Sequence, residues 1–309
     1  MNSAVCTLFE GDYHYGVGAL VNSLYKHGFR GVVWAGYRGA LPPWAKDVQQ
    51  HLQYHEFQVA EGCCIRFVPV TTRSHFTNYK PAFMLDLWEN YCPDTDELFY
   101  FDPDIVIKCR WSFYEEWACG GVALCEDISN QKMPDNHPVR LYWISFLKSS
   151  GFKLSRPLSQ YFNGGFLGVH KRYKNAIRNW KDIIEYLLSQ NIDIAWGRST
   201  DRTDYFEKQD QDALNIMAMI TECPLSTVGP DGMDFAEGGF LMSHAVASPK
   251  PWQRKAISDA IRGVPPGKTY KQYLINAEGP IRLYDTLTFR RLQTDQRIAS
   301  GVSRFVRRN

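Results

Sequence analysis

The sequence predicts an α/β protein, a mixed sheet flanked by helices, and three observations carry that expectation. A strand, a glycine-bearing turn and a helix open the chain. Strand-like apolar runs then alternate with helix-periodic segments as far as residue 217. Residues 98–107, Leu-Phe-Tyr-Phe-Asp-Pro-Asp-Ile-Val-Ile, form an almost continuous aromatic and β-branched run of the kind buried inside a sheet covered on both faces. Composition agrees: 309 residues, 44% hydrophobic and 22% charged, suit one large globular domain with a small appendage. A net charge of +2 does not predict a nucleic-acid binder. No stretch reaches 18 apolar residues, and the N-terminus lacks a charged-then-apolar leader, so the expected location is cytoplasmic. The eight cysteines include no Cys-x-x-Cys pair and read as free thiols.

In order, residues 3–9 read as a first strand and 19–27 as a helix ended by Gly28. This start is usual for a nucleotide-binding half, whose ligand lies at the carboxyl ends of the strands. Neither Gly-x-Gly-x-x-Gly nor Gly-x-x-x-x-Gly-Lys is present, so neither a dinucleotide fold nor a P-loop is indicated. Residues 31–35 read as a second strand, 42–52 as a surface helix, 65–70 as a third strand and 82–91 as a helix with Pro81 at its first position. Strand 122–124 leads into Glu126 and Asp127, and the looser segment 129–157 reads as an insertion or lid. At 161–169, Tyr-Phe-Asn-Gly-Gly-Phe-Leu-Gly-Val sets an Asn and two Gly among apolar residues, as expected where a ligand approaches the backbone. Helical periodicity covers 172–189, and Gln209-Asp210-Gln211-Asp212 opens a further helix whose acids suit the helix dipole and a ligand site alike.

Chemistry enters where Asp102 and Asp104 interrupt the apolar run. Ionised carboxylates in a dry interior are paired or coordinate a metal, so a strand end opening into a cleft is expected, with Pro103 ending the ladder. Asp-x-Asp offers the number of carboxylates that Mg²⁺ or Mn²⁺ takes. The tripeptide alone also fits a solvated turn, although the nearby Pro-Asp-Thr-Asp-Glu at 93–97 is what a solvated acidic stretch looks like here. His244, if it completes the pair, favours Mn²⁺ over Mg²⁺, although a lone His is more often structural. Lys250 would supply a point charge for a phosphate.

Asp-Pro-Asp after an apolar strand, Phe-Asn-Gly-Gly-Phe, Asp-Gln-Asp-Ala-Leu-Asn and a His followed by Lys-Pro-Trp, in that order, resemble the retaining glycosyltransferases of family eight, which include glycogenin and lipopolysaccharide galactosyl- and glucosyltransferases. The resemblance runs from about Val5 to Trp252. It implies a GT-A fold, a Rossmann-like sheet binding a nucleotide sugar, usually UDP-linked, with Mn²⁺. It places Asp102, Asp104 and His244 on the metal, Lys250 on the diphosphate, and Leu8, Phe9 and Tyr13 or Tyr15 at the nucleoside. Lys80 falls near the phosphate and sugar, while Asp127, Asn163, Gly164, Asp210 and Gln211 fall around the donor sugar. Pro103 within the acidic motif, the Gly11-Asp12 loop and the lack of a Gly between His244 and Lys250 depart from the family pattern. The implied function is transfer of a hexose to a glycan or glycolipid, with Gln211 a poor nucleophile and same-face attack favoured.

Two other classes stay open: a catalytically inactive nucleotide-sugar-binding protein, and a metal-dependent nucleotidyltransferase or phosphatase. Neither the sugar nor the acceptor is named by the sequence; 129–157 and 191–205 are candidates to cover the acceptor. The catalytic domain is expected over 1–279, with a helical, basic amphipathic extension over 280–309. That extension carries seven Arg against Asp285 and Asp295, with apolar residues between, and suits peripheral contact with the inner face of an anionic membrane or simple packing on the domain.

Overall fold

Residues 98–107 turn out to be two strands in different sheets. The protein is seen here as a computed structural model describing residues 2–129, 132–190 and 205–306. Strands β1 (Ser3–Glu10), β2 (Gly31–Arg38), β3 (Gln49–Gln50), β4 (His55–Ala60), β5 (Cys63–Pro69), β6 (Glu97–Phe101), β8 (Val122–Cys125), β9 (Phe166–His170) and β10 (Leu225–Val228) form a nine-stranded sheet, ordered β10-β8-β9-β6-β1-β2-β5-β4-β3. Two others, β7 (Ile105–Ile107) and β11 (Met242–His244), make an antiparallel ribbon. The large sheet is mixed: β1 runs parallel to β6, β2 to β5 and β8 to β10, whereas β9 is antiparallel to β6. Every residue of β6 is buried, which is why its sequence shows no alternation.

The chain divides into two compact units. The first comprises Met1–Leu8, Val70–Phe101 and Ser112–Pro230, and holds helices α2 (Phe76–Asp86), α4 (Pro138–Ser150), α5 (Lys174–Ser189) and α6 (Gln209–Ile220), with most of α3 (Trp111–Cys119). The second comprises Phe9–Pro69, Asp102–Trp111 and Asp231–Asn309, and holds α1 (His14–Lys26), α7 (Ala256–Ile261), α8 (Lys268–Asn276) and α9 (Thr286–Val302). Among the described residues no helix is long and apolar enough to cross a membrane.

Several local expectations change. Helix α1 starts at His14, so Gly16 and Gly18 lie inside it, and it ends before Gly28, whose φ is +95°. A Cβ on Gly16 would run into the Pro103 carbonyl and come within 2.9 Å of the Trp252 ring, so glycine serves close approach rather than a turn. Residues 42–52 are not a helix but turns leading into β3: Trp44 packs on Phe57 and Phe67 and donates to the His14 carbonyl at 3.2 Å, and that anchoring replaces helical packing. Pro81 sits within α2 rather than at its start, followed by a π-helical turn at Leu87–Tyr91. The segment 129–157 contains α4. Of the stretch 191–205, all but Tyr205 lies outside the described residues.

Candidate functional site

In the second unit, the Asp102-Pro103-Asp104 turn is closed by the Ile105 N–H donating to the Asp102 carbonyl at 3.1 Å. Antiparallel pairing then puts His244 opposite Ile105, and the Ala245 N–H donates to the Asp104 carbonyl at 3.0 Å. Residues 140 positions apart are thus brought together by one short ribbon. His244 Nε2 lies 3.2 Å from Asp104 Oδ1 and 3.8 Å from Asp102 Oδ2. One ligand atom from each of the three converges within 4.8 Å. Two carboxylate oxygens and one imidazole nitrogen are a donor set that fits a divalent cation.

Lys250 completes this cluster. Its ammonium donates to Asp104 Oδ2 at 2.6 Å and to the Ala245 carbonyl at 2.8 Å, and lies 5.9 Å from the Tyr13 ring centre. Burial alone would raise the Asp104 carboxyl pKa, but His244 and Lys250 beside it outweigh that and hold it well below the usual carboxylate range. Burial would likewise lower the Lys250 pKa, and Asp104 raises it instead. Of the residues expected at the nucleoside, Phe9 is buried and stacks on Tyr37 at 6.1 Å, Tyr13 meets Trp252 edge-on at 5.3 Å, and Tyr15 stacks on Tyr284 at 5.2 Å. Leu8 is buried in the first unit.

The first unit carries a second, connected polar cluster. Lys80, on α2, is only 2% exposed and donates to Asp210 Oδ2 at 3.0 Å and to the Gly164 carbonyl at 2.9 Å, 5.2 Å from the Tyr100 ring centre. The Gly164 N–H donates to Gln211 Oε1 at 2.9 Å, and Gln211 Nε2 donates to Asp127 Oδ2 at 3.2 Å. Asn163 Nδ2 reaches the same Asp127 oxygen at 2.6 Å, while its own oxygen accepts from the Gly165 N–H at 2.8 Å. A Cβ on Gly164 would press against Asp210 Oδ2 and Gln211 Cβ, both at 3.3 Å, so the Asn-Gly-Gly turn must be slim where α6 begins. Burial raises the Asp127 pKa, but hydrogen bonds from Asn163 and Ser129, and the charge of Lys208, bring it below its ordinary value.

Sequence reasoning missed the residues that hold this cluster. Asn215, one helical turn after Gln211, accepts from the Phe162 N–H at 2.7 Å and donates to the Phe162 carbonyl at 2.9 Å; its i+4 spacing was the available signal. Lys208 donates to Ser129 Oγ at 2.8 Å. Tyr161 donates to Asp212 Oδ1 at 2.6 Å, and the Lys208 N–H donates to Asp212 Oδ2 at 2.9 Å, so Asp212 caps the start of α6 from inside.

No family model and no curated protein matches this chain. Among solved structures the chain is similar to the bifunctional glycosyltransferase WbbM in its apo form, with a TM-score of 0.54 and 15% sequence identity. The likeness covers 96% of this chain and 52% of that one, so the chain spans about half the length of WbbM. It is a likeness of fold: a mixed α/β sheet flanked by helices in the arrangement of a GT-A-like glycosyltransferase.

Proposed function

We propose that this protein is a retaining glycosyltransferase that moves a hexose from a nucleotide sugar, UDP-linked, to a glycan or glycolipid acceptor with the help of Mn²⁺. The convergence of Asp102, Asp104 and His244 within 4.8 Å, with an ammonium on the same carboxylate, carries the reading. A departing nucleoside diphosphate gathers negative charge. Lys250 is positioned to offset that charge where it develops. A divalent ion on the three ligands, when bound, would act as a Lewis acid on the same oxygens. The resemblance assigns the sugar to the cluster around Asp127, Asn163, Gly164, Asp210 and Gln211. There, Lys80 neutralises Asp210, and Asp127 stays ionised to accept hydrogen bonds.

Retention follows from what Gln211 can do. Its amide oxygen accepts from the Gly164 N–H and its nitrogen is spent on Asp127, so it is a weak nucleophile held in one orientation. Attack by the acceptor on the face the diphosphate leaves is therefore the favoured route, with Gln211 stabilising positive charge at the anomeric carbon. Hydrolysis of several nucleotide sugars without acceptor, run with Mn²⁺ and with chelator, tests donor and metal together. Metal-dependent release of UDP is expected, and equal rates under both conditions would reject the reading. Once an acceptor is found, NMR of the product anomeric proton tests retention: an α-linked donor should give an α-linked product, and a β-linked product would refute it.

Peripheral membrane contact is the proposed role of α9 within a 280–309 extension. Phe289 and Ala299 face the protein, whereas Leu287, Ile298 and Phe305 are 78%, 46% and 87% exposed. Arg290, Arg291, Arg297 and Arg304 share that exposed side at helical spacing. Each basic residue near an anionic bilayer contributes about 1 kcal/mol. Co-sedimentation with anionic liposomes at low salt should be strong and should fall when Arg290, Arg291 and Arg297 become Glu; equal binding by both proteins would reject the surface.

A further inference from the structure

We propose that Lys250 is the resident counter-ion of the Asp102, Asp104 and His244 centre, and that it exchanges Asp104 for a bound diphosphate, so that divalent-cation binding depends on the diphosphate. The inference rests on reading the centre as a metal site. Its warrant is the state of the lysine. The ammonium is 15% exposed and spends its short contacts on Asp104 Oδ2 and the Ala245 carbonyl, inside the centre rather than on any group outside it. Both of the nearby carboxylates, Asp104 and Asp102, favour its charged form.

Charge bookkeeping then decides the order of events. With His244 neutral, two carboxylates and one ammonium leave the centre at −1. A divalent cation added alone turns it to +1 and sets like charges around one largely buried carboxylate, Asp104, which is 6% exposed. A diphosphate arriving with the cation restores negative charge and offers the ammonium a new partner. The lysine can make this exchange without moving its backbone. Its N–H is held by Gln253 Oε1 at 3.1 Å, and Gln253 is in turn anchored to Asp12 at 2.6 Å, while the four-carbon stem remains free to swing. Because coupling between two ligands is reciprocal, the same lysine that weakens metal binding alone strengthens diphosphate binding in the presence of metal.

The test measures Mn²⁺ binding by EPR of the free ion, and UDP binding by calorimetry, on the full chain. Lys250→Met keeps the stem and removes the charge. It should bind Mn²⁺ alone about tenfold more tightly than wild type, and UDP at saturating Mn²⁺ about tenfold more weakly, within the usual range of coupling factors. Lys250→Arg keeps the charge and should bind Mn²⁺ alone as wild type does. Thermal melts of the wild-type protein need no variant: Mn²⁺ alone should raise the midpoint little, and Mn²⁺ with UDP much more than the sum of each alone. If Lys250→Met leaves Mn²⁺ affinity unchanged, or binds UDP as tightly as wild type, the lysine does not exchange and the inference fails while the metal reading stands. If wild type binds no Mn²⁺ even with saturating UDP, the metal reading itself fails and takes this inference with it.

Discussion

Asp212→Asn should stabilise the protein at neutral and alkaline pH while flattening its dependence on pH. Asp212 is 4% exposed, and burial pushes its carboxyl pKa up from 3.8 to about 7 against the opposing hydrogen bonds from Tyr161 and the Lys208 N–H. The folded pKa is raised, so between about pH 4 and pH 7 the folded protein holds a proton that the unfolded chain has lost. Stability therefore falls as pH rises through that window, by up to about 1.4 kcal/mol per pH unit, and levels off above pH 7 with a total loss of about 4 kcal/mol. Asparagine reproduces the protonated acid: its amide oxygen can accept from the Lys208 N–H and its N–H can donate to the Tyr161 oxygen. Urea unfolding of both proteins at pH 5, 6, 7 and 8 checks this, because their difference cancels every other titrating group. The variant should match wild type near pH 5 and lead it increasingly to pH 8. Parallel curves, or a variant weaker than wild type at pH 8, would show that Asp212 is ionised in the fold.

Three further outcomes are expected. Asp104→Asn should abolish Mn²⁺ binding and transfer while leaving the circular dichroism spectrum intact; full activity in chelator would reject the metal assignment. Gly16→Ala should cost about 1–3 kcal/mol, because its new methyl displaces the Pro103 carbonyl or the Trp252 ring, and should weaken Mn²⁺ binding through the shifted Asp-Pro-Asp turn; wild-type stability and metal affinity together would contradict the packing. Lys80→Met should destabilise by about 3–5 kcal/mol by leaving Asp210 buried without its counter-ion, and Asp210→Asn in the same chain should recover much of the loss; an additive double variant would mean that the two charges are not coupled.

What the sequence determined by itself was local. The strand at residues 3–9, the helical face over 172–189 and the all-buried run ending at Phe101 each follow from side-chain period, and each is present. Two Asp inside an apolar run, and Asn-Gly-Gly before a strand, marked places where burial and polarity conflict, and such conflicts need partners to resolve them. Which partners they find is not a local property. Proline's missing N–H predicts a break at 103, but only packing decides that Ile105–Ile107 leaves the large sheet for Met242–His244, a pairing that delivers His244 to Asp104. The aromatic helix Trp111–Cys119 went unread because both its sides carry apolar residues, which blurs a 3.6-residue period. Gly16 looked like turn chemistry and proved to be clearance for the Pro103 carbonyl and the Trp252 ring, 87 and 236 positions away. Period and propensity act over a few residues, whereas register and close approach are set by which distant surfaces exclude water together, and tertiary structure alone decides that.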